Sequence, residues 1–275
     1  MKMLLNILLI FSSSLLLMCS SVKGGQKASH DKNYPNVALS KELVRTAREG
    51  KNAAEIMDKL AAVSVEELSD ELDSDEAKKA FWINVYNGYV QHILTKQPEL
   101  FDDRGAFFKK EQIRIAGELL SLDKIEHGII RGSKVKWLLG LVSDPFADKY
   151  ERTFRTDKAD GRIHFALNCG AKSCPYIAIY DAPYMNEQLD EIAHQYLNKT
   201  STYKPEEDKV YVTSLFSWFR GDFGGKNGVR DFLRKYDVIP EDAKPSLVFN
   251  DYDWTLELGN YTDLKTTGKT ADSNE

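Results

Sequence analysis

Residues 80–94 read Ala-Phe-Trp-Ile-Asn-Val-Tyr-Asn-Gly-Tyr-Val-Gln-His-Ile-Leu, apolar on nearly every side. That is the pattern of a helix buried all round, not of a surface helix with one wet face. Three amides interrupt it. Asn84, Asn87 and Gln91 are spaced i, i+3, i+7 and share one face. Buried amides are costly unless they are hydrogen-bonded. Two readings follow: the amides tie the helix to a neighbouring backbone, or they line a site. His92 follows one turn after Gly88, beside that face and not squarely on it.

The same patterning predicts the other elements. Ser40 is placed to cap a helix through Arg48, stopped by Gly50. Ser64-Val-Glu-Glu67 is a capping box for a short helix to about Leu72, and Asp73-Ser-Asp-Glu76 has the same form and opens the long buried helix, which ends before Pro98. Ile113–Ile115 alternates like a strand, with Gly117-Glu118 as its turn. Ser121-Leu-Asp-Lys124 opens a short helix carrying Glu126-His127 to Arg131. Arg162–Leu167 reads as a strand running into Asn168-Cys169-Gly170, and Ala182–Leu197 as an amphipathic helix. Lys209–Val212, Leu247–Asn250 and Thr255–Leu258 read as short strands. Ser214–Phe219 and Val229–Tyr236 read as helices joined by a Gly-rich loop, Gly221 to Gly228. Helices outnumber scattered strands, so the expectation is α+β: a single helix-rich domain over 39–262 with a small mixed or antiparallel sheet. No composition break or long linker divides that span, and the polar tail 263–275 is expected to be disordered.

The chain start bears on compartment. Lys2 precedes an apolar run from Met3 to Met18, broken only by Asn6 and Ser12–Ser14. Its shortness and small-residue end read as a secretory signal over 1–21, not as a membrane span. Leu16-Leu17-Met18-Cys19 resembles a lipoprotein cleavage box, although Met18 departs from the small residue usual there. Lipidation at Cys19 and ordinary cleavage after Ser20 or Ser21 both stand. Residues 22–38 then form a flexible tether. The expected location is the periplasm, or the cell envelope with the membrane touched only through a lipid anchor at Cys19. Net charge is -5 with both signs mixed. No basic patch is interleaved with aromatics, which argues against nucleic acid.

The candidate chemistry centres on Asn168-Cys169-Gly170-Ala-Lys172-Ser-Cys174-Pro175. A thiol at an element's end, beside Gly and Lys, suits an activated nucleophile. Three plainer readings compete: a Cys169–Cys174 disulfide, a small buried side chain, or a metal pair. C-x4-C without a second pair is a weak metal signal. Of the histidines, His30 is in the tether, His194 on a helix edge, and His164 on the strand face opposite Cys169. His92, oriented by Asn84 or Asn87, makes the best partner for Cys169, with His127 as runner-up. Nucleophile elbow, phosphate loop and His-Glu-x-x-His are all missing from the sequence, so no cofactor or metal is expected. Asp251-Tyr-Asp253 reads as a turn before a Ca²⁺ site, and the sequons at Asn198 and Asn260 matter only where the source glycosylates.

Several blocks occur in an order that resembles the "domain of unknown function 547" family. They are Phe81-Trp-Ile-Asn84-x-Tyr-Asn87 with His92, Ile125-Glu-His127-x-Ile-Ile-Arg131, Phe165-Ala-Leu-Asn-Cys169-Gly, Ser173-Cys-Pro175, Leu215-Phe-x-Trp218-Phe-x-x-Asp222-Phe and Asp251-Tyr-Asp-Trp254. The resemblance covers about Glu76 to Leu258. It implies a domain found in bacterial exported proteins and beside leucine-zipper segments in plants, and it carries over no activity. Relatives keep Asn84, Asn87, His92 and Cys169 in pattern. Some have Ser at position 174, and Glu126-His127 is not universal, which weakens a disulfide and a His127 catalyst as general features.

Two function classes remain. One is a cysteine-dependent hydrolase or acyltransferase acting on peptide or cell-envelope material. In it Cys169 attacks, His92 is the base, and Asn84 or Asn87 orients the ring or stabilises an oxyanion. The other is a non-catalytic module whose polar groove and aromatic rim (Trp82, Trp218, Trp254) hold a small-molecule, peptide or protein ligand.

Overall fold

The computed structural model describes residues 27–134 and 144–265. The expected signal segment, Cys19, the first residues of the tether and the end of the tail lie outside the described residues. Helices α1 (Pro35–Arg48), α2 (Ala54–Ala62), α3 (Val65–Glu71) and α4 (Asp75–Lys96) come first, then α5 (Arg104–Lys109). Strands β1 (Ile113–Ile115) and β2 (Glu118–Leu120) form an antiparallel hairpin pairing Ile113 with Leu120. A π-helical segment Lys124–Ile130, α6 (Lys149–Phe154) and a 3-10 helix Gly161–Phe165 lead to α7 (Met185–Thr200). The last elements are β3 (Thr202–Lys204), β4 (Lys209–Val212), α8 (Leu215–Trp218), α9 (Gly225–Lys235) and β5 (Ser246–Phe249). They form a three-stranded sheet in the order β3-β4-β5, antiparallel between β3 and β4 and parallel between β4 and β5. The fold is helix-rich α+β, with small antiparallel and mixed sheets. Among the described residues no helix is long and apolar enough to cross a membrane.

α4 is the axis of the fold. Ser74 caps it by accepting the Ala77 N–H at 3.2 Å. Phe81, Trp82, Ile83, Val85 and Val90 are fully buried, as the apolar patterning requires. One cluster of buried side chains extends from Tyr34 to Leu264. α1 packs against α4, and its N-terminus is held by a distant carboxylate. Glu71 accepts the N–H groups of Asn36 (2.9 and 3.0 Å) and Val37 (2.9 Å) and the Asn36 Nδ2 (2.6 Å). The orphan donors of a helix start and its positive dipole end are thus met together.

Several local expectations change. α1 begins at Pro35, so Ser40 is buried inside the helix and does not cap it, and residues 35–38 belong to the fold and not to a tether. Asp263 pairs with Arg48 at 2.6 Å and Leu264 is buried, so the packed part extends past 262. Residues 161–165 are a 3-10 helix and not a strand. Asp160 accepts the Arg162 N–H at 3.1 Å and starts the turn, and Gly161 and residues 163–168 are all buried, so no wet face selects extended pairing. Thr255–Leu258 forms only an isolated bridge, Ala171 with Leu256. α9 starts at Gly225, inside the expected loop. A Cβ at Gly228 would sit 1.8 Å from the Phe223 carbonyl oxygen, so glycine is what lets this helix begin so tightly.

Candidate functional site

The amide row on α4 is spent on backbone. Asn87 donates Nδ2 to the Ala166 carbonyl at 2.8 Å and accepts the Asn168 N–H at 2.9 Å. Asn84 clamps Tyr180 in the same way, donating to its carbonyl at 2.8 Å and accepting its N–H at 3.0 Å, and donates to Ser40 Oγ at 3.2 Å. Gln91 Oε1 accepts the Gly259 N–H at 2.9 Å. Asn84 and Asn87 are therefore buttresses, with no polar atom presented to a ligand. His92 lies roughly 140° round the helix from Asn87 at 3.6 residues per turn. It is partly buried, and burial, with Lys96 adding, lowers its pKa. The structure does not bring His92 into the cavity that Cys169 lines.

The thiol loop is fastened at many points. Asn168 Nδ2 donates to the Pro175 carbonyl at 2.7 Å, and Asn168 Oδ1 accepts the Gly170 N–H at 2.9 Å. Backbone bonds from Lys172 to Thr255 (2.8 Å) and from Ser173 to Asp253 (3.2 Å) zip the loop to the segment after β5. Gly170 has φ +92°, a conformation that favours glycine, and a Cβ there would press on Leu94 Cδ1 at 3.0 Å. Cys169 and Cys174 are free thiols, Cys169 partly exposed and Cys174 buried. The Cys174 sulfur accepts the Cys169 N–H at 3.1 Å and the Tyr252 hydroxyl at 3.2 Å, and that hydroxyl lies 3.9 Å from Cys169 Sγ. Burial opposes charge on Cys174, but the Cys169 thiol, then the Tyr252 hydroxyl and the Cys169 N–H, outweigh it and lower the Cys174 pKa. The neighbouring Cys174 sulfur, then burial, raises the Cys169 pKa well above the usual thiol range. Lys172, expected beside the thiol, turns outward to Asp253 at 3.4 Å.

Cys169 opens on a cavity of about 480 Å³, shared with Tyr86, Glu126, His127, His164 and Tyr252. Trp218, Phe219, Trp254 and Phe108 also line it, with Arg104 and Lys109 from α5. Trp218 and Trp254 stack with centroids 5.5 Å apart and planes at 20°. Behind His127 and His164, which line the cavity, runs a buried charged chain. Asp222 accepts from Arg131 Nε at 2.6 Å and Nη2 at 3.2 Å, and bonds His164 Nε2 at 2.8 Å. Arg131 Nη1 lies 2.8 Å from His127 Nδ1. Arginine can only donate, so Nδ1 accepts and His127 carries its proton on Nε2. Burial lowers the His164 pKa more than Asp222 raises it, leaving a neutral ring at neutral pH. That ring stacks on Phe219 at 3.7 Å. Asp222 itself is held below the usual carboxylate range by His164 and Arg131, against burial. Tyr86, deep in the core, donates to Glu126 Oε2 at 3.3 Å.

Residues 69–197 match the family model described as "Protein of unknown function, DUF547". The chain carries a DUF547 domain. No curated protein and no solved structure matches it. The matched span of the DUF547 domain contains Glu126, His127, His164 and both thiols, whereas Trp218, Asp222, Tyr252 and Trp254 come from chain beyond it. Reasoning from sequence missed His164 and Tyr252 as cavity residues, and Arg131 and Asp222 as the buried pair behind them. Three of these stand inside motif blocks already singled out, Arg131 after Glu126-His127, Asp222 after Trp218-Phe219, and Tyr252 between Asp251 and Asp253. His164 was hidden because strand geometry would have turned it away from Cys169. The 3-10 turn instead lets both face one cavity.

Proposed function

We propose that this domain is a thiol-dependent hydrolase or acyltransferase acting on peptide or cell-envelope material. In it Cys169 is the nucleophile, His164 the general base, and Asp222 the group that orients the ring. The observation that carries the reading is that Cys169 and His164 line one aromatic-rimmed cavity while a buried carboxylate holds the imidazole at 2.8 Å. A thiol, an imidazole and an orienting group are the parts that nucleophilic acyl transfer needs. The resting state is a neutral pair: the Cys169 pKa is raised, so its proton stays on sulfur, and His164 is uncharged. Asp222 occupies Nε2, which leaves Nδ1 as the nitrogen to take that proton as sulfur bonds the acyl carbon. The proton then passes to the departing amine or alkoxide, leaving a thioester on Cys169. Water or an acceptor nucleophile releases the acyl group. Tyr252, whose pKa burial raises, keeps its hydroxyl proton and is the candidate oxyanion donor.

Incubation with a panel of activated acyl esters and peptide esters tests this by intact mass. An acyl adduct mapped to Cys169, slowed at least tenfold in His164→Ala, is the expected result. Absence of any adduct or turnover, or indifference to His164→Ala, removes the assignment.

A non-catalytic binding module is the second reading. The stacked Trp218–Trp254 pair, with Arg104 4.9 Å over Trp254, favours it as a ligand platform. Ligand binding measured by calorimetry that survives Cys169→Ser and His164→Ala without turnover would make it the better one. We also propose export to the periplasm or envelope, from Lys2 and the apolar run after it, with Cys19 as the lipid acceptor. Intact mass of the mature protein decides this: retained Met1 overturns export, and an acyl increment at Cys19 supports the lipoprotein form.

A further inference from the structure

Cys174 is not needed for acyl transfer, yet it is the more tightly specified of the two thiols. It is 5 % exposed, accepts the Cys169 N–H at 3.1 Å and is approached by the Tyr252 hydroxyl at 3.2 Å. The turn between the cysteines is closed by the Cys174 N–H on the Ala171 carbonyl at 2.9 Å. The two cysteine side chains interact across a fixed loop of four intervening residues. They also face different spaces. Cys169 lines the 480 Å³ cavity, while Cys174 lines a second one of about 360 Å³, and Tyr252 is common to both walls. One sulfur is open to a reactant and the other is sheltered behind it.

We propose that Cys169 and Cys174 form a dithiol–disulfide exchange site, in which Cys169 meets a small disulfide in the aromatic cavity and Cys174 resolves the mixed disulfide. The chemistry balances without a further oxidant. Cys169 Sγ attacks one sulfur of R–S–S–R as it gives up its proton, forming Cys169–S–S–R and releasing one RS⁻ that takes up that proton. The Cys174 thiolate then attacks Cys169 Sγ, the bond to R breaks, and the second RS⁻ leaves and is protonated. Two protein thiols are oxidised to one disulfide, and one external disulfide is reduced to two thiols. Exchange rate depends on the thiolate fraction of the attacking sulfur and on its access. In the mixed disulfide Cys169 has no thiol proton to donate, so the Tyr252 hydroxyl and the Cys169 N–H are the donors that favour the Cys174 thiolate, and the fixed loop supplies access. The proposal is independent of acyl transfer, and oxidation would disable Cys169 as an acyl nucleophile.

The test uses the full, reduced chain with oxidised glutathione as the probe, followed by mass and peptide mapping that separates Cys19 from the pair. Wild type is expected to finish with a Cys169–Cys174 link and no retained glutathione. Cys174→Ser is expected to stall with glutathione on Cys169, and Cys169→Ser to gain little on the sheltered Cys174. Tyr252→Phe is expected to close the link roughly three- to tenfold more slowly, because loss of the hydroxyl donor leaves less thiolate at Cys174. Urea midpoints confirm that each variant is folded. Stable glutathione on Cys169 in wild type overturns the resolving role. Thiols that react only after unfolding overturn the site altogether. Link formation without any acyl adduct on Cys169 would retain this proposal and remove the hydrolase reading, and the converse pattern would do the opposite.

Discussion

Replacing Asn87 by Ala separates a structural amide from a catalytic one. Its Nδ2 and Oδ1 bind the Ala166 carbonyl and the Asn168 N–H at 2.8 and 2.9 Å, and both of those residues, like Asn87, are 0 % exposed. Truncation leaves a carbonyl and an N–H buried with no water to replace the partner. Each such group costs about 1–3 kcal/mol, so the pair sums to roughly 2–6 kcal/mol. Against a total stability of about 5–15 kcal/mol that is a large loss. For a chain of this size about 4 kcal/mol corresponds to a fall in Tm on the order of 10 °C. Urea titration followed by far-UV circular dichroism gives the change directly, provided the m-value is unchanged. Asn87→Asp is the companion variant: it keeps the acceptor for Asn168 but sets an oxygen against the Ala166 carbonyl, so it too should be destabilised. If Asn87→Ala stays within about 0.5 kcal/mol of wild type while thiol reactivity vanishes, the amide acts on a ligand and the buttress argument fails.

Three further outcomes are expected. Asp160→Ala should cost about 3–5 kcal/mol in urea unfolding, because Asp160 bonds buried Lys79 at 3.1 Å and Arg162 at 2.8 Å and its removal leaves the lysine uncompensated; a loss under about 1 kcal/mol would mean that water reaches Lys79. Gly170→Ala should destabilise by about 1–3 kcal/mol through its left-handed φ and alter Cys169 alkylation, and unchanged rates with unchanged stability would show that the loop has room to move. The His164 pKa is lowered in the fold from 6.5, with Asp222, Arg131, Glu126, Phe219 and Phe223 facing the ring. Below that value the unfolded chain binds the extra proton, so stability falls as pH drops from about 6.5 towards the folded pKa. His164→Gln should flatten that slope, and an unchanged slope would assign it elsewhere, His92 being the next candidate.

Much of the architecture was legible as pattern. The all-round apolar stretch at 80–94 was legible as a central helix because it is too long for an ordinary buried strand and its amides repeat at helical spacing. Ser64 capped where its hydroxyl could reach the Glu67 N–H, and Ile113–Ile115 paired where alternation demanded it. Those signals are local, carried within a few residues by hydrogen-bond reach and side-chain periodicity. The segment 161–167 was misread because its residues are nearly all buried, and a fully buried run carries no period that separates a strand from a turn.

The chain's own residues determined the α+β class, the long buried helix, its amide row and the thiol loop, because periodicity, capping chemistry and desolvation cost act over short distances. Only tertiary structure decided what those amides and thiols meet. Asn87 finds backbone 79 and 81 residues away, and His164 finds Asp222 58 residues away. His92, close in pattern, faces elsewhere. Which imidazole shares a cavity with a given sulfur depends on how helices cross and loops fold back. Those placements follow from packing of the whole core, and no local spacing encodes them.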